Sequence, residues 1–146
     1  MRLKKEVHPL HEYFSRCLYF TAGKMFRTVD RMAAESFREL HLAPTHAFLI
    51  MALNESPRQS ATPSTLADVM NLDRSTVTRL ISSLEKKKLI QRTRSGRTIT
   101  VTLLRAGIKM LPEVEACWKD LYRRYCVEFG EDKANGVNRL IVKILS

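Results

Sequence analysis

The apolar residues change period at Leu89, and few folds accommodate that change. Before it, Val77, Leu80, Ile81 and Leu84 recur at three- and four-residue steps, the spacing of one helix face. After it, in RTITVTL, Ile99, Val101 and Leu103 alternate with Thr98, Thr100 and Thr102, the period of a strand. Ile90 to Arg94 supplies the partner strand, and Ser95-Gly96 the two-residue turn, because glycine tolerates positive φ. Upstream, Thr62 has the chemistry of an N-cap and Pro63 that of a first helical residue, opening a short helix to Met70. Asp73 then caps a helix from Arg74 to about Lys87, where its carboxylate can accept from a free backbone N–H. Only NLD separates the two helices, so they form a helix-turn-helix, and a β-hairpin follows it directly.

The flanks are helical. Leu10, Phe14, Leu18, Met25, Val29, Met32, Ser36, Phe37 and Leu40 keep helical steps, which predicts one long helix from about Pro9 to Leu40. LAPTHAFLIMALNES gives a helix from about Pro44 to Asn54, and SPRQSATPS is a polar break after it. From about Arg105 to Gly130 a long helix carries Val114, Trp118, Leu121, Tyr125 and Phe129 on one stripe, with Pro112 expected to kink or divide it. A last helix covers roughly Asp132 to Leu145. Stripes this long must be covered by something. The fold class is mainly α, with a small β element (α+β). A length of 146 residues suits one domain, and no internal repeat or low-complexity segment is present.

Charge is concentrated rather than spread. The net charge is +10. From Arg74 to Lys109 there are ten basic residues (Arg74, Arg79, Lys86, Lys87, Lys88, Arg92, Arg94, Arg97, Arg105 and Lys109) and one acid, Glu85. The rest of the chain is nearly neutral. A basic surface of this kind points to nucleic acid or another anionic surface as partner.

The Arg74–Lys87 helix carries that charge on a defined side. With Val77, Ile81, Leu84 and Leu80 turned inward, Ser75, Arg79, Ser82 and Lys86 form the centre of the opposite face, and Thr78 its edge. This face holds two cations and three hydroxyls and no carboxylate. A helix lying in a DNA major groove needs such a face: arginine bonds guanine O6 and N7 in pairs, and small hydroxyls reach base edges or phosphates. Arg92, Arg94 and Arg97 surround the hairpin tip, where arginine can enter a narrow minor groove. Two such points make a clamp.

At these residues the sequence resembles the MarR family of bacterial winged-helix transcriptional regulators. HLAPTHAFLIMAL, STLADVMNLDRSTVTRLISSLEKKKLIQR and VTLLRAGIKML carry the resemblance, including Leu66-Ala67, Asp73-Arg74-Ser75-Thr76-Val77 and Leu84-Glu85-Lys86-Lys87. The resemblance implies a winged helix-turn-helix over residues 44–110, with residues 1–43 and 111–146 as a helical dimerisation region. It implies a homodimer in which each subunit presents its recognition helix to half of a pseudo-palindromic site, the half-sites ~10 base pairs apart. Arg79, Ser75, Thr78 and Ser82 would read bases or adjacent phosphates. Arg74, Thr76, Lys86, Arg94 and Arg97, with the turn residues Ser95 and Gly96, would complete the double-stranded DNA contact. The function implied is a transcriptional regulator, a repressor answering to ligand or stress. Three departures from the family pattern carry expectations. The wing, TRSGRT, is short. Leu104 stands where a threonine hydroxyl usually caps the next helix. Lys88 stands where glycine usually ends the recognition helix, so a non-glycine residue is expected in a left-handed conformation there.

Other residues carry weaker signals. Some relatives sense oxidants through a cysteine in the first helix, and Cys17 sits in that helix, but buried inert cysteine is the commoner case. Cys117 and Cys126 near Trp118 read as packing residues, and an odd cysteine count without CxxC points to a reducing cytoplasm rather than a disulfide framework. His8 with His11, and His41 with His46, lack acidic or cysteine company at ligand spacing, so no metal is expected. Tyr13, Tyr19, Phe20, Trp118, Tyr122 and Tyr125 are candidates to line a pocket for a small aromatic or anionic effector. No cofactor is expected. No nucleophile–base–orienter set can be built, which argues against an enzyme. MRLKKEVHPLHEYF lacks the apolar run of a signal peptide, and no segment approaches the ~20 apolar residues of a membrane span. The alternative function is a winged-helix module that docks an acidic protein and never touches bases.

Overall fold

A computed structural model describes residues 9–146, with side chains from Glu12 onward. His8 and the charged stretch before it lie outside the described residues, as does the side chain of His11. Among the described residues, seven α-helices and a three-stranded sheet follow in chain order: α1 (Pro9–Ser15), α2 (Leu18–Ser36), α3 (Pro44–Glu55), β1 (Ser60–Ala61), α4 (Pro63–Met70), α5 (Arg74–Lys86), β2 (Ile90–Ser95), β3 (Thr98–Leu103), α6 (Arg105–Phe129) and α7 (Glu131–Leu145). No helix among them is long and apolar enough to cross a membrane.

The expected single helix from Pro9 to Leu40 is three pieces. Cys17 is extended (φ −98°, ψ 116°) and separates α1 from α2. Ser15 donates its hydroxyl back to Glu12 O at 3.0 Å, using the side chain that competes best with the helix. Phe14 and Phe20 meet edge to face across the break, with ring centroids 4.7 Å apart. At the other end α2 stops at Ser36, and Phe37, fully buried, leads into a short 3₁₀ turn over Arg38–Leu40.

Two apolar clusters share α3. Leu49, Ile50 and Leu53 join Leu66, Val77, Leu80, Ile81, Leu84, Leu89, Ile90, Val101 and Leu103 under the helix-turn-helix and sheet. Ala47, on the other side of α3, joins Met32, Phe37, Val114 and Leu121 among the long helices. Polar contacts reinforce the second cluster. Ser36 donates to Asp120 (2.8 Å), and Arg124 bonds both Asp120 (2.7 Å) and Glu35 (2.7 Å), clamping α2 to α6.

The sheet order is β1-β3-β2, all antiparallel. β1, inside the stretch expected to be a polar break, pairs Ser60 with Thr102 and Ala61 with Val101, and the Ser60 and Thr102 hydroxyls lie 2.7 Å apart. In the hairpin, Ser95 pairs with Thr98. The two turn residues are therefore Gly96 and Arg97, one position later than expected. Positive φ falls on Gly96 (60°), the first central position, where a II′ turn requires glycine.

α6 begins without a side-chain cap at Leu104, as expected, and the Leu104 amide donates to Leu89 O at 2.9 Å. Pro112 does not divide the helix, which runs unbroken to Phe129. Pro112 and Ile108, whose carbonyl loses its partner, are both exposed, so the missing bond falls outside the core. Along the expected stripe Val114 and Leu121 are buried, but Trp118 is 48% exposed. α7 buries none of its residues, and Leu140, Ile144 and Leu145 are exposed.

Candidate nucleic-acid interface

Both helices of the helix-turn-helix start on the expected caps. The Thr65 amide donates to Thr62 Oγ1 at 3.1 Å, and the Thr76 amide to Asp73 Oδ1 at 2.8 Å. Asn71, in the connection, takes a left-handed conformation (φ 51°). The inner face of α5 is Val77, Leu80, Ile81 and Leu84, all buried. Arg74, Ser75, Thr78, Arg79 and Lys86 are exposed, and Thr76 and Ser82 are half-buried. α5 ends with Lys88 at φ 58°, the left-handed residue expected there.

Three hydroxyls in the first turns of α5 are already engaged. Ser75 and Thr76 both donate to the Asp73 carboxylate, Thr76 at 2.6 Å. Thr78 donates to Arg74 O at 2.8 Å. Arg79 Nη2 donates to Thr76 Oγ1 at 3.3 Å. The Ser75 and Thr76 hydroxyls and the Thr76 amide hold the Asp73 carboxyl well below the usual carboxylate range, so it remains an ionised acceptor.

The acid within the basic segment is neutralised in place. Glu85 Oε2 accepts from Arg92 Nε (2.9 Å) and Nη2 (2.6 Å), and Glu85 Oε1 accepts from the Arg92 amide (2.9 Å). These bonds draw the Glu85 carboxyl below its ordinary pKa. Arg92 therefore does not stand at the hairpin tip. It ties β2 to α5, a contact that a count of charges without their partners does not reveal. Arg94, Ser95, Gly96 and Arg97 do lie at or beside the tip and are exposed, and Arg94 Nε donates to Gly96 O at 3.3 Å. Among the described residues, Arg92 alone of the ten cations from Arg74 to Lys109 is held in an ion pair. The other nine are in no ion pair: Arg74, Arg79 and Lys86 on α5, Lys87 and Lys88 just after it, Arg94 and Arg97 on the hairpin, and Arg105 and Lys109 on α6.

Two further candidate sites are changed by the structure. A cleft of about 530 Å³ opens between α2, α6 and α7. Trp118, Tyr122 and Tyr125 line it with Phe26, Phe48 and Phe129. Tyr13, Tyr19 and Phe20 do not line it: they stand exposed at the α1–α2 break. Cys17 is not inside a helix but at that break, half-buried. Burial, followed by Asp120 and Glu113, pushes the Cys117 thiol up, which suits a packing residue. Among the described residues no group of three metal-ligating side chains converges, and His41 and His46 are not exceptions.

Two capped helices, a buried inner face on the second and a hairpin latched to it define a winged-helix protein. Residues 42–98 match the model of the MarR family. Comparison with curated proteins gives no match. Among solved structures, the chain is similar to a probable transcriptional regulator from Pseudomonas aeruginosa (20% identity, TM-score 0.79, covering 89% of this chain and 98% of that one). It is similar to a mutant MarR from E. coli complexed with operator DNA (18%, 0.79, 95% and 99%). It is also similar to Bordetella bronchiseptica BpsR, described by the regulation of its DNA binding by 6-hydroxynicotinic acid (15%, 0.81, 90% and 96%). Residues 42–98 thus carry the resemblance to the MarR family, and the chain as a whole has the winged-helix fold of these solved structures.

Proposed function

We propose that the chain is a sequence-specific DNA-binding transcriptional regulator, acting as a homodimer on a pseudo-palindromic operator. The winged helix-turn-helix of residues 44–110 is its DNA-binding part, and residues 1–43 and 111–146 its dimerisation part. One observation carries the reading: α5 and the hairpin hold five exposed cations outside any ion pair, Arg74, Arg79, Lys86, Arg94 and Arg97, while the Glu85 carboxylate is already spent on Arg92 and that of Asp73 on the cap of α5. Arg79 reads a base, and Arg74, Lys86, Arg94 and Arg97 hold phosphates or the minor groove, with Ser75, Thr76, Thr78, Ser82, Ser95 and Gly96 completing the surface. The homodimer is supported by the uncovered apolar side chains of α1, α2 and α7, among them Leu18, Tyr19, Leu140 and Ile144. We assign it repression relieved by a small aromatic anion seated against Trp118, Tyr122 and Tyr125, a reading supported by the aromatic lining of the cleft and by the description of BpsR. We assign it no catalytic role and a cytoplasmic site of action.

Selection of bound sequences from random DNA tests this. A palindromic motif is expected, with binding that falls steeply as salt rises. Arg79→Ala should cost ~1–3 kcal/mol and relax preference at one base pair, whereas Lys86→Ala should weaken all sequences alike. Enrichment of no motif would favour the protein-docking module instead.

A further inference from the structure

We infer that Ser75 and Thr78 act toward DNA only as hydrogen-bond acceptors, and so select a base carrying an exocyclic amine, cytosine N4 or adenine N6, in the major groove. The inference rests on the DNA-binding reading above and adds to it which bases those two positions choose.

A hydroxyl has one hydrogen and two lone pairs. The hydrogen of Ser75 is given to the Asp73 carboxylate, which can only accept while ionised. That of Thr78 is given to Arg74 O at 2.8 Å, a carbonyl, which also only accepts. Neither bond can be reversed. Both residues are exposed, so what they turn toward a ligand is lone pairs. A phosphate oxygen is itself an acceptor, and so are guanine O6, guanine N7 and thymine O4. Bonding any of these would first require breaking an internal hydrogen bond. The amines of cytosine and adenine are the donors that the major groove offers. Asp73 keeps the arrangement fixed, since its depressed pKa leaves it ionised throughout the neutral range.

Thr76 falls on the other side of the same logic. It gives its hydrogen to Asp73 (2.6 Å) and accepts from Arg79 Nη2 (3.3 Å), so it is a positioning residue for Arg79 rather than a reader. The first turns of α5 thus divide the work by polarity: Arg79 donates and Ser75 and Thr78 accept. A half-site read this way contains a guanine for the arginine and a cytosine or adenine for each hydroxyl.

The test takes the half-site enriched from random DNA and removes one amine at a time, replacing cytosine with 2-pyrimidinone and adenine with purine. Wild-type protein should lose about tenfold in affinity at one or two positions. Ser75→Ala should be indifferent to the amine at one of them, and Thr78→Val at the other, while Arg79→Ala keeps both dependences. Both Asp73–Thr76 bonds survive Ser75→Ala, so the cap of α5 is retained, and the wild-type series reads the amines without any variant. A motif whose amines can all be removed without loss would overturn the inference and leave DNA recognition standing. So would a Ser75→Ala protein that responds as wild type does at every position. If no motif is enriched, the DNA-binding reading falls and takes this inference with it.

Discussion

Glu85 holds Arg92 at three points, two on the guanidinium and one on the backbone amide. β2 is an edge strand, so that amide would otherwise face solvent, and the carboxylate both closes the edge and fixes the hairpin against α5. The spacing between the helix and the hairpin arginines therefore depends on one side chain. Glu85→Ala should weaken DNA binding about fivefold, and Arg97→Ala should cost less in that background than in the wild type, because a wing that has lost its anchor gains less from its arginine. Glu85→Gln, which keeps an acceptor for the amide, should fall between. Titration of labelled DNA with these proteins checks this, and equal costs of Arg97→Ala in both backgrounds would count against it.

Acid should unfold the protein through its hydrogen-bonded carboxyls. Asp73, Glu85 and Asp120 are all held below their usual range, by Ser75 and Thr76, by Arg92, and by Arg124, Arg123 and Ser36 respectively. A folded pKa below the unfolded one means a contribution present above about pH 4 and lost as pH falls through the folded value. Denaturant melts between pH 6 and 2 should show stability dropping from about pH 4–5 downward, less steeply in Glu85→Gln.

His46 should add a separate slope at milder pH. Its Nδ1 is buried without a partner, and burial, with Lys87 nearby, lowers its pKa. The folded state thus resists a proton that the unfolded chain accepts near pH ~6.5, so stability should decline as pH falls through that value and level off below the folded pKa. In His46→Gln the decline between pH 7 and 5 should vanish.

Gly107→Ala should destabilise, against the sign that helix propensity alone would give. A Cβ there would meet Leu89 O at 2.5 Å and Leu103 Cδ1 at 2.6 Å. Leu89 O is also the acceptor for the Leu104 amide, so the clash strikes the joint where the hairpin turns into α6. Thermal melts would reveal it, and an unchanged or higher Tm would show that the joint can yield.

Phe37→Ala should cost ~3–5 kcal/mol. The ring is fully buried where α2, α3 and α6 meet, and it packs on Phe48 with centroids 5.7 Å apart. Urea melts with an unchanged m value would attribute the loss to stability alone.

What could be read in the chain followed the range of its interactions. Thr62, Asp73 and Lys88 act within a turn of their own backbone, so caps and terminus were legible. The inner face of α5 was legible because Val77, Leu80, Ile81 and Leu84 share one cluster. The break at Cys17 was not, since Phe14 and Leu18 keep helical steps across it while the backbone does not. Both candidate turns, Ser95-Gly96 and Gly96-Arg97, contain the glycine, and only the pairing of Ser95 with Thr98 separates them. β1 is two residues long and finds its partner at Val101 and Thr102, too short and too distant to leave a pattern. On the candidate interface, composition revealed the acid-free face, but the direction in which each hydroxyl points its hydrogen is a matter of coordinates.

α7 has no residue of its own buried. Such a helix takes its stability from whatever lies against it, and in the proposed assembly that is the second chain. Dilution would then act as a denaturant of this end of the molecule. The number of copies in the cell would set not only how much operator is occupied but how much of each copy is folded.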